Sequence, residues 1–541
     1  MKNLVRHPSV WGLAAAGALF AAHAHAAAYL PARDTVTTAQ GVVSAAAEST
    51  AGVRVFKAMP FAAPPVGDLR WKAPQPAAAW KGIRRSDNFA AACMQGNRPF
   101  GVPGSILYQQ NESQSEDCLY LNVWSGAAAA SEKRPVLLLL HGGGFQLGSG
   151  AQPNYNGAGL AAKGAVMVTM NYRLGPLGFL AHPELSAESP DKVSGNYALL
   201  DAIAALQWVK DNIAAFGGDP ANVTLLSESA GSGLASVLLA SPKAAGLFQR
   251  IVIESLGSLP TEGDTPTLAK AEGAGKGYAE KLGAKDLAAL RALPVQQIMA
   301  GAGSIPVPIV DGVVWPDQLD VLLRQGKVHN VPMLVGWNAD EGTPYRPFAV
   351  DLASFDAAAT DKFGDMAAQF KAAYPVASDA DVKAMAFAPA RDSFFGWQPW
   401  SLARAHAAQG KAKTFVYVFN RKPAYYPDQQ FREQPVAANY GAYHSLEQVY
   451  LYNNLDRSAP PRPYDATDRS LADAASSYLV NFARNGDPNA SGLAAWPAFQ
   501  GASSPVMQLG DSVAPVPAPS RAGFEFFDAF HARKLGRALP F

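Results

Sequence analysis

Phe216-Gly217-Gly218-Asp219-Pro220-Ala221-Asn222-Val223-Thr224-Leu225-Leu226-Ser227-Glu228-Ser229-Ala230-Gly231 reads as a turn, a short apolar strand, a sharp corner and the start of a helix. Ser229 falls at the corner. A strand that ends in small-x-Ser-x-small and opens into a helix has the geometry of a nucleophile elbow. The serine is held on a strained turn with its hydroxyl exposed, and small neighbours let strand and helix approach closely. The next backbone N–H, that of Ala230, then points at a reacting carbonyl. Taken alone, such a match also describes a plain strand-to-helix connection in a chain rich in Ala, Gly and Ser. Its weight comes from what surrounds it.

Upstream, Pro135 to Leu140 (PVLLLL) is an apolar run of strand length, continuous enough to be buried on both faces. His141-Gly142-Gly143-Gly144-Phe145 follows at once. Three glycines in a row free the backbone to turn its N–H groups towards an oxyanion, whereas by itself the loop reads equally as a flexible turn with His141 an ordinary polar residue. Further strands are read at Leu119 to Trp124, Ala165 to Met170, Ile251 to Ile253, Val331 to Gly336 and Thr414 to Phe419. Helices are read from Gly195 to Ile213, from the elbow to about Ala240, and in the segment that opens at Leu471 and stops at Gly486 and Pro488.

With strand, glycine loop and elbow in this order, the chain resembles the type-B carboxylesterase/cholinesterase-like family of α/β-hydrolases over nearly its whole mature length. The same resemblance is carried by PFAAPPVGDLRW (Pro60 to Trp71), SEDCLYLNV (Ser115 to Val123), NYRLGPLGFLA (Asn171 to Ala181) and FARNGDPN (Phe482 to Asn489). It implies an α/β fold: a large, mostly parallel, twisted central sheet with helices on both faces and helical insertions over the active site. It implies oxyanion donors at Gly143, Gly144 and Ala230, and the loss of one such donor typically costs about 3–4 kcal/mol of transition-state stabilisation. No cofactor and no metal are implied. One departure stands at the elbow, where Ser227 replaces the usual Gly; its Cβ is expected to strain the turn while leaving activity intact.

The triad acid of this fold lies at the carboxyl end of a strand, between the Ser and the His in chain order. Trp337-Asn338-Ala339-Asp340-Glu341-Gly342 follows the run at 331–336. Local chemistry divides evenly between Asp340 and Glu341, and the resemblance to GxNxDEG selects Glu341. Three later histidines compete: His406 in a helical segment, His531 in the C-terminal tail, and His444 in the loop Asn439 to Glu447. The resemblance of that loop to GAxHxxE, with Ser445 where Gly is commoner, selects His444. Glu228 and Ser255 are given supporting roles; Ser255 lies beside the acid in the family, but Leu256 intervenes here where Gly is usual.

The implied chemistry is ester hydrolysis through an acyl-enzyme, with His444 taking the Ser229 proton and Glu341 orienting the imidazole. The same constellation serves amidases and thioesterases, and relatives that lack the serine act as binding modules. The partner is a small-molecule ester. Cholinesterases of this family use a Trp between the paired cysteines to hold a quaternary ammonium. Met94 to Asp117 contains none, so choline esters are not expected. Candidate pocket walls are Phe145, Gln146, Trp337, Phe394, Phe395, Trp397 and Trp400, although such aromatics more often belong to a core, and Pro260 to Gln325 is read as a substrate-side insertion.

The two cysteines, Cys93 and Cys118, form an even pair in an exported chain and suggest one disulfide, in agreement with the resemblance. Export is read from Lys2, Arg6 and His7 followed by the apolar run Val10 to Ala22 and Ala-x-Ala choices. Residues 1–26 are a cleavable signal peptide on this reading, and the mature protein is secreted or periplasmic. No later run of about 20 apolar residues suggests a membrane span. Although 541 residues is long, Gly, Pro and apolar residues are spread evenly, which favours a single domain over 27–541. A net charge of +1 and the lack of a basic stripe exclude electrostatic attraction to nucleic acid.

Overall fold

The apolar runs assemble into one sheet of ten strands in the computed structural model, which describes residues 34–46, 52–96, 105–107, 113–300, 305, 307–434 and 436–541. The signal peptide read at 1–26 lies outside the described residues. In chain order the strands are β1 (Arg54–Pro60), β2 (Tyr120–Ser125), β3 (Arg134–Leu140), β4 (Val166–Met170) and β5 (Gly218–Glu228). There follow β6 (Arg250–Glu254), β7 (Met333–Asn338), β8 (Thr414–Phe419), β9 (Val506–Leu509) and β10 (Val513–Val516). Across the sheet they stand in the order β10-β9-β8-β7-β6-β5-β3-β4-β2-β1. From β9 to β4 every pairing is parallel, and the pairings at the two edges are antiparallel.

Strand alternation explains the uninterrupted apolar runs. Val136, Leu138 and Leu140 belong to one hydrophobic core, while Leu137 and Leu139 belong to a second on the other face of the sheet. Ile251 and Ile253 against Val252, and Met333 and Val335 against Leu334, divide in the same way. Helices α1 (Tyr197–Asn212) and α2 (Ala230–Leu238) cover the first face with α3 (Trp397–Ala408), and α4 (Ala466–Asn485) covers the second. α4 starts where the Asp465 side chain accepts from the N–H of Asp468 and stops at Gly486, whose φ of 78° is left-handed.

The order places the chemistry. From β3 the chain crosses to β4 on one side and then returns to β5 on the other, so the loops after β3 and β5 leave neighbouring strands at one carboxyl edge. This is the crevice in which open parallel sheets bind ligands. Among the described residues no helix is long and apolar enough to cross a membrane.

Cys93 and Cys118 are joined in a disulfide across a sequence separation of 25, with both residues buried. Restricting that loop in the unfolded chain contributes about 3 kcal/mol. The Cys93→Ser/Cys118→Ser protein is therefore expected to unfold at lower denaturant by about that amount, measured by fluorescence in guanidinium, and the unreduced wild type should show no titratable thiol.

Candidate active site

Ser229 sits between β5 and α2 with φ 51° and ψ −123°, a conformation that L-residues rarely adopt and that costs on the order of 1–3 kcal/mol. Hydrogen bonds on its β6 side over-determine it. The Ser229 N–H donates to the Glu254 carbonyl at 2.8 Å, and Ser232 Oγ donates to the same carbonyl at 2.9 Å while accepting from the Glu254 N–H at 3.0 Å. On the other side α2 presses against the end of β3: a Cβ at Gly231 would lie 2.1 Å from the Leu140 carbonyl oxygen. The small residue after the corner is thus required by close packing.

Ser227 does not carry the strain expected of it. It is absent from the residues of positive φ and remains in regular parallel register with Ile253 and Leu140, so the chain leaves the strand only at Ser229. Its hydroxyl is buried and donates to the Val252 carbonyl at 2.6 Å.

Three of the residues singled out in the sequence meet here. His444 Nε2 lies 2.9 Å from Ser229 Oγ, and His444 Nδ1 lies 2.5 Å from Glu341 Oε2. Glu341 is fully buried, and its Oε1 accepts from the Asn338 N–H at 2.7 Å and from Asn338 Nδ2 at 3.3 Å. Asp340 turns away from the imidazole. Its Oδ2 accepts from the Ala442 N–H at 2.9 Å and its own N–H donates to the Ala442 carbonyl at 2.9 Å, which bolts the loop after β7 to the loop carrying His444. The other two histidines lie in the core. His406 Nδ1 is 2.7 Å from Thr414 Oγ1, His531 packs on Trp397 and Phe527, and burial pushes both rings down to about 4.

The surroundings of His444 are acidic and buried. Burial alone disfavours its charged form, but the charge and hydrogen bond of Glu341, with the charges of Glu228 and Glu447, outweigh burial and raise its pKa to about 9. Glu228 Oε1 lies 3.4 Å from His444 Nε2 and also accepts from Ser445 Oγ. Burial raises the Glu228 carboxyl above the usual range. Burial together with the charges of Glu341 and Glu228 takes Glu447 up to about 8. Ser255, at φ 59°, donates to Glu447 Oε1 at 3.2 Å and accepts from Asn338 Nδ2 at 3.4 Å. The sequence motif at 337–342 assigns Asn338 no role. It donates to both Glu341 and Glu447 and ties the two carboxylates together.

The glycine loop after β3 folds back so that the Gly143 carbonyl accepts from the N–H groups of Gln146 and Leu147, each at 3.1 Å. Gly143 has φ 115° and Gly144 φ 61°, and both line a cavity of about 340 Å³ together with Ser229 and His444. The N–H groups of Gly143 and Gly144 have no acceptor among the described residues. The Ala230 N–H opens α2, where no intrahelical partner exists.

Phe145, Leu256, Tyr345 and Phe395 supply apolar wall, and Phe394, 43% exposed, stands at the mouth. The Phe395 ring lies 4.4 Å from that of His444. Four of the candidate wall residues are elsewhere. Trp337 points into the core, its ring edge-on to those of Trp400 and Phe524; Trp397 and Trp400 lie on the buried side of α3, and Gln146 is buried outside the cavity. None of the described residues of 260–325 is among those lining the cavity, whose wall includes Tyr345, Phe394 and Phe395 instead. Weakly amphipathic helices gave no signal of which insertion faces the crevice.

The model of the carboxylesterase family matches residues 32–522. This chain belongs to the carboxylesterase family. It is 39% identical over 486 residues to the fumonisin B1 esterase of Sphingopyxis macrogoltabida, covering 84% of each chain. With the para-nitrobenzyl esterase of Bacillus subtilis (strain 168) it shares 33% identity over 485 residues, 86% of this chain and 92% of the relative. Solved structures agree: a PNB esterase is matched at TM-score 0.72 and 29% identity over 92% of this chain and 100% of that one. A thermophilic PNB esterase is matched at TM-score 0.74 and 29% identity, with the same coverage. The fold is that of the α/β-hydrolases and the activity is that of a carboxylesterase.

Because Ser227 is unstrained and hydrogen-bonded, Ser227→Gly in this carboxylesterase should lower stability by about 1 kcal/mol without raising ester turnover. Denaturation midpoints and kcat on a chromogenic ester measure the two effects.

Proposed function

We propose that this carboxylesterase works through a Ser229–His444–Glu341 triad with an acyl-enzyme intermediate. The reading rests on the continuous hydrogen-bonded line from Glu341 Oε2 through both nitrogens of His444 to Ser229 Oγ. In the neutral ring Nδ1–H donates to the Glu341 carboxylate, which leaves Nε2 as acceptor of the Ser229 proton. As the hydroxyl oxygen attacks the ester carbonyl, His444 takes that proton and becomes an imidazolium that Glu341 stabilises. The N–H groups of Gly143, Gly144 and Ala230 hold the oxyanion. His444 then gives its proton to the leaving alcohol, and water, activated by the same nitrogen, releases the acid.

The walls of the cavity are largely apolar, which favours uncharged esters with hydrophobic acyl or alcohol groups. The proposal includes residues 1–26 as a cleaved signal peptide, residues 27–541 as one domain, and a secreted or periplasmic mature enzyme.

Ser229→Ala should lose about 10⁶-fold in kcat and all labelling by a fluorophosphonate probe. The neutral form of His444 is the base, and its pKa is raised, so kcat/KM should climb with pH along an acid limb centred above the 6.5 of a free imidazole. Glu341→Gln removes the largest raising influence, and its limb should move down while the plateau falls by about 10²- to 10⁴-fold. A wild-type profile flat from pH 6 to 9 would sink the assignment of His444.

A further inference from the structure

We propose that Ser445 is a positioning residue that holds the Glu228 carboxylate back from His444, so that Nε2 stays available to Ser229. This rests on the triad reading above and goes beyond it. His444 Nε2 has two oxygens in reach, Ser229 Oγ at 2.9 Å and Glu228 Oε1 at 3.4 Å. A proton shared between Nε2 and Oε1 blocks catalysis wherever it resides: on the ring it leaves no lone pair, and on the carboxyl it occupies the lone pair as a hydrogen bond. Glu228 is therefore a competitor for the base placed next in sequence to the nucleophile.

The Ser445 hydroxyl donates to that same Oε1. On the opposite side the other carboxylate oxygen is packed against the glycine loop, where a Cβ on Gly142 would lie 2.1 Å from Glu228 Oε2. Glu228 is thus gripped from both sides. Ser445 holds its place at a cost, since its φ is 71°, in the left-handed region that favours glycine. A glycine there would relax the backbone but would leave Oε1 without this donor. A hydroxyl donor also stabilises the ionised carboxylate, which lowers the affinity of the Glu228–His444 pair for the shared proton.

Other titratable groups face the pair without supplying such a donor to Oε1. Glu341, Glu447 and Glu254 are carboxylates whose charges raise the affinity of the pair or of each other for protons. The phenols of Tyr155, Tyr172 and Tyr345, with Tyr417 and Tyr452 behind them, are all pushed up by burial and carry no charge near neutral pH.

The test is the pH dependence of kcat and KM on a nitrophenyl ester for the full-length wild type, Ser445→Ala and Ser445→Gly, each repeated in a Glu228→Gln background. Both single variants should move the acid limb of kcat/KM up by about 0.5–1 pH unit, lower kcat at pH 7 by about three- to tenfold, and leave KM within about twofold. In the Glu228→Gln background the same changes should leave the limb in place. An unmoved limb in both variants, a shift in only one of them, or a shift that persists with Glu228→Gln overturns the proposal. If one variant fails to fold, the other decides. Turnover that survives Ser229→Ala would overturn the triad reading itself, whereas loss there with unmoved Ser445 limbs overturns only this inference.

Discussion

The structure depends on one strained corner held from both sides. Ser229 can keep its unfavourable backbone only because the Glu254 carbonyl receives its N–H and the Ser232 hydroxyl, and because Gly231 lets α2 close against the end of β3. These contacts come from three adjacent parallel strands, β6, β5 and β3. The sheet therefore acts as a clamp, and its cores on two faces supply the rigidity. A serine on a free loop would relax into an ordinary turn, and its hydroxyl would lose the fixed direction towards His444.

The second constraint is electrostatic. One imidazole is buried against Glu341, Glu228 and Glu447. Such a group of carboxylates cannot all be ionised cheaply, and burial raises Glu228 and Glu447 accordingly. The arrangement favours a protonated imidazole, and it makes proton placement delicate. Hydrogen bonds settle that placement: Asn338 fixes Glu341 and Glu447 from one side, and Ser445 fixes Glu228 from the other.

Much of the architecture was legible because its causes are local. Apolar runs such as Pro135 to Leu140 had to be buried on both faces, and the structure divides their side chains between two cores. The stop of α4 was readable from Gly486. Ser227 was misread as strained because a letter in a motif does not reveal its backbone angles. The chain is still paired with both neighbouring strands there, and a small hydroxyl fits as a hydrogen-bond donor. Trp337 was legible only as a residue of either wall or core, because aromatic character alone does not say which face of a strand a residue occupies; it lies in the core.

The sequence by itself determined the order strand, glycine loop and elbow, since each is a property of a few adjacent residues and their steric freedom, whereas Glu341 and His444 were picked out from their rivals only by resemblance to the family's motifs. Only the tertiary structure decided partners. It put Glu341 on the imidazole and Asp340 on the Ala442 amide, left His406 and His531 in the core, and made Tyr345 and Phe395 the neighbours of His444. The physical reason is that contacts between different segments of the chain are set by sheet order and by the packing of insertions above it. Neither leaves a periodic trace in the chain.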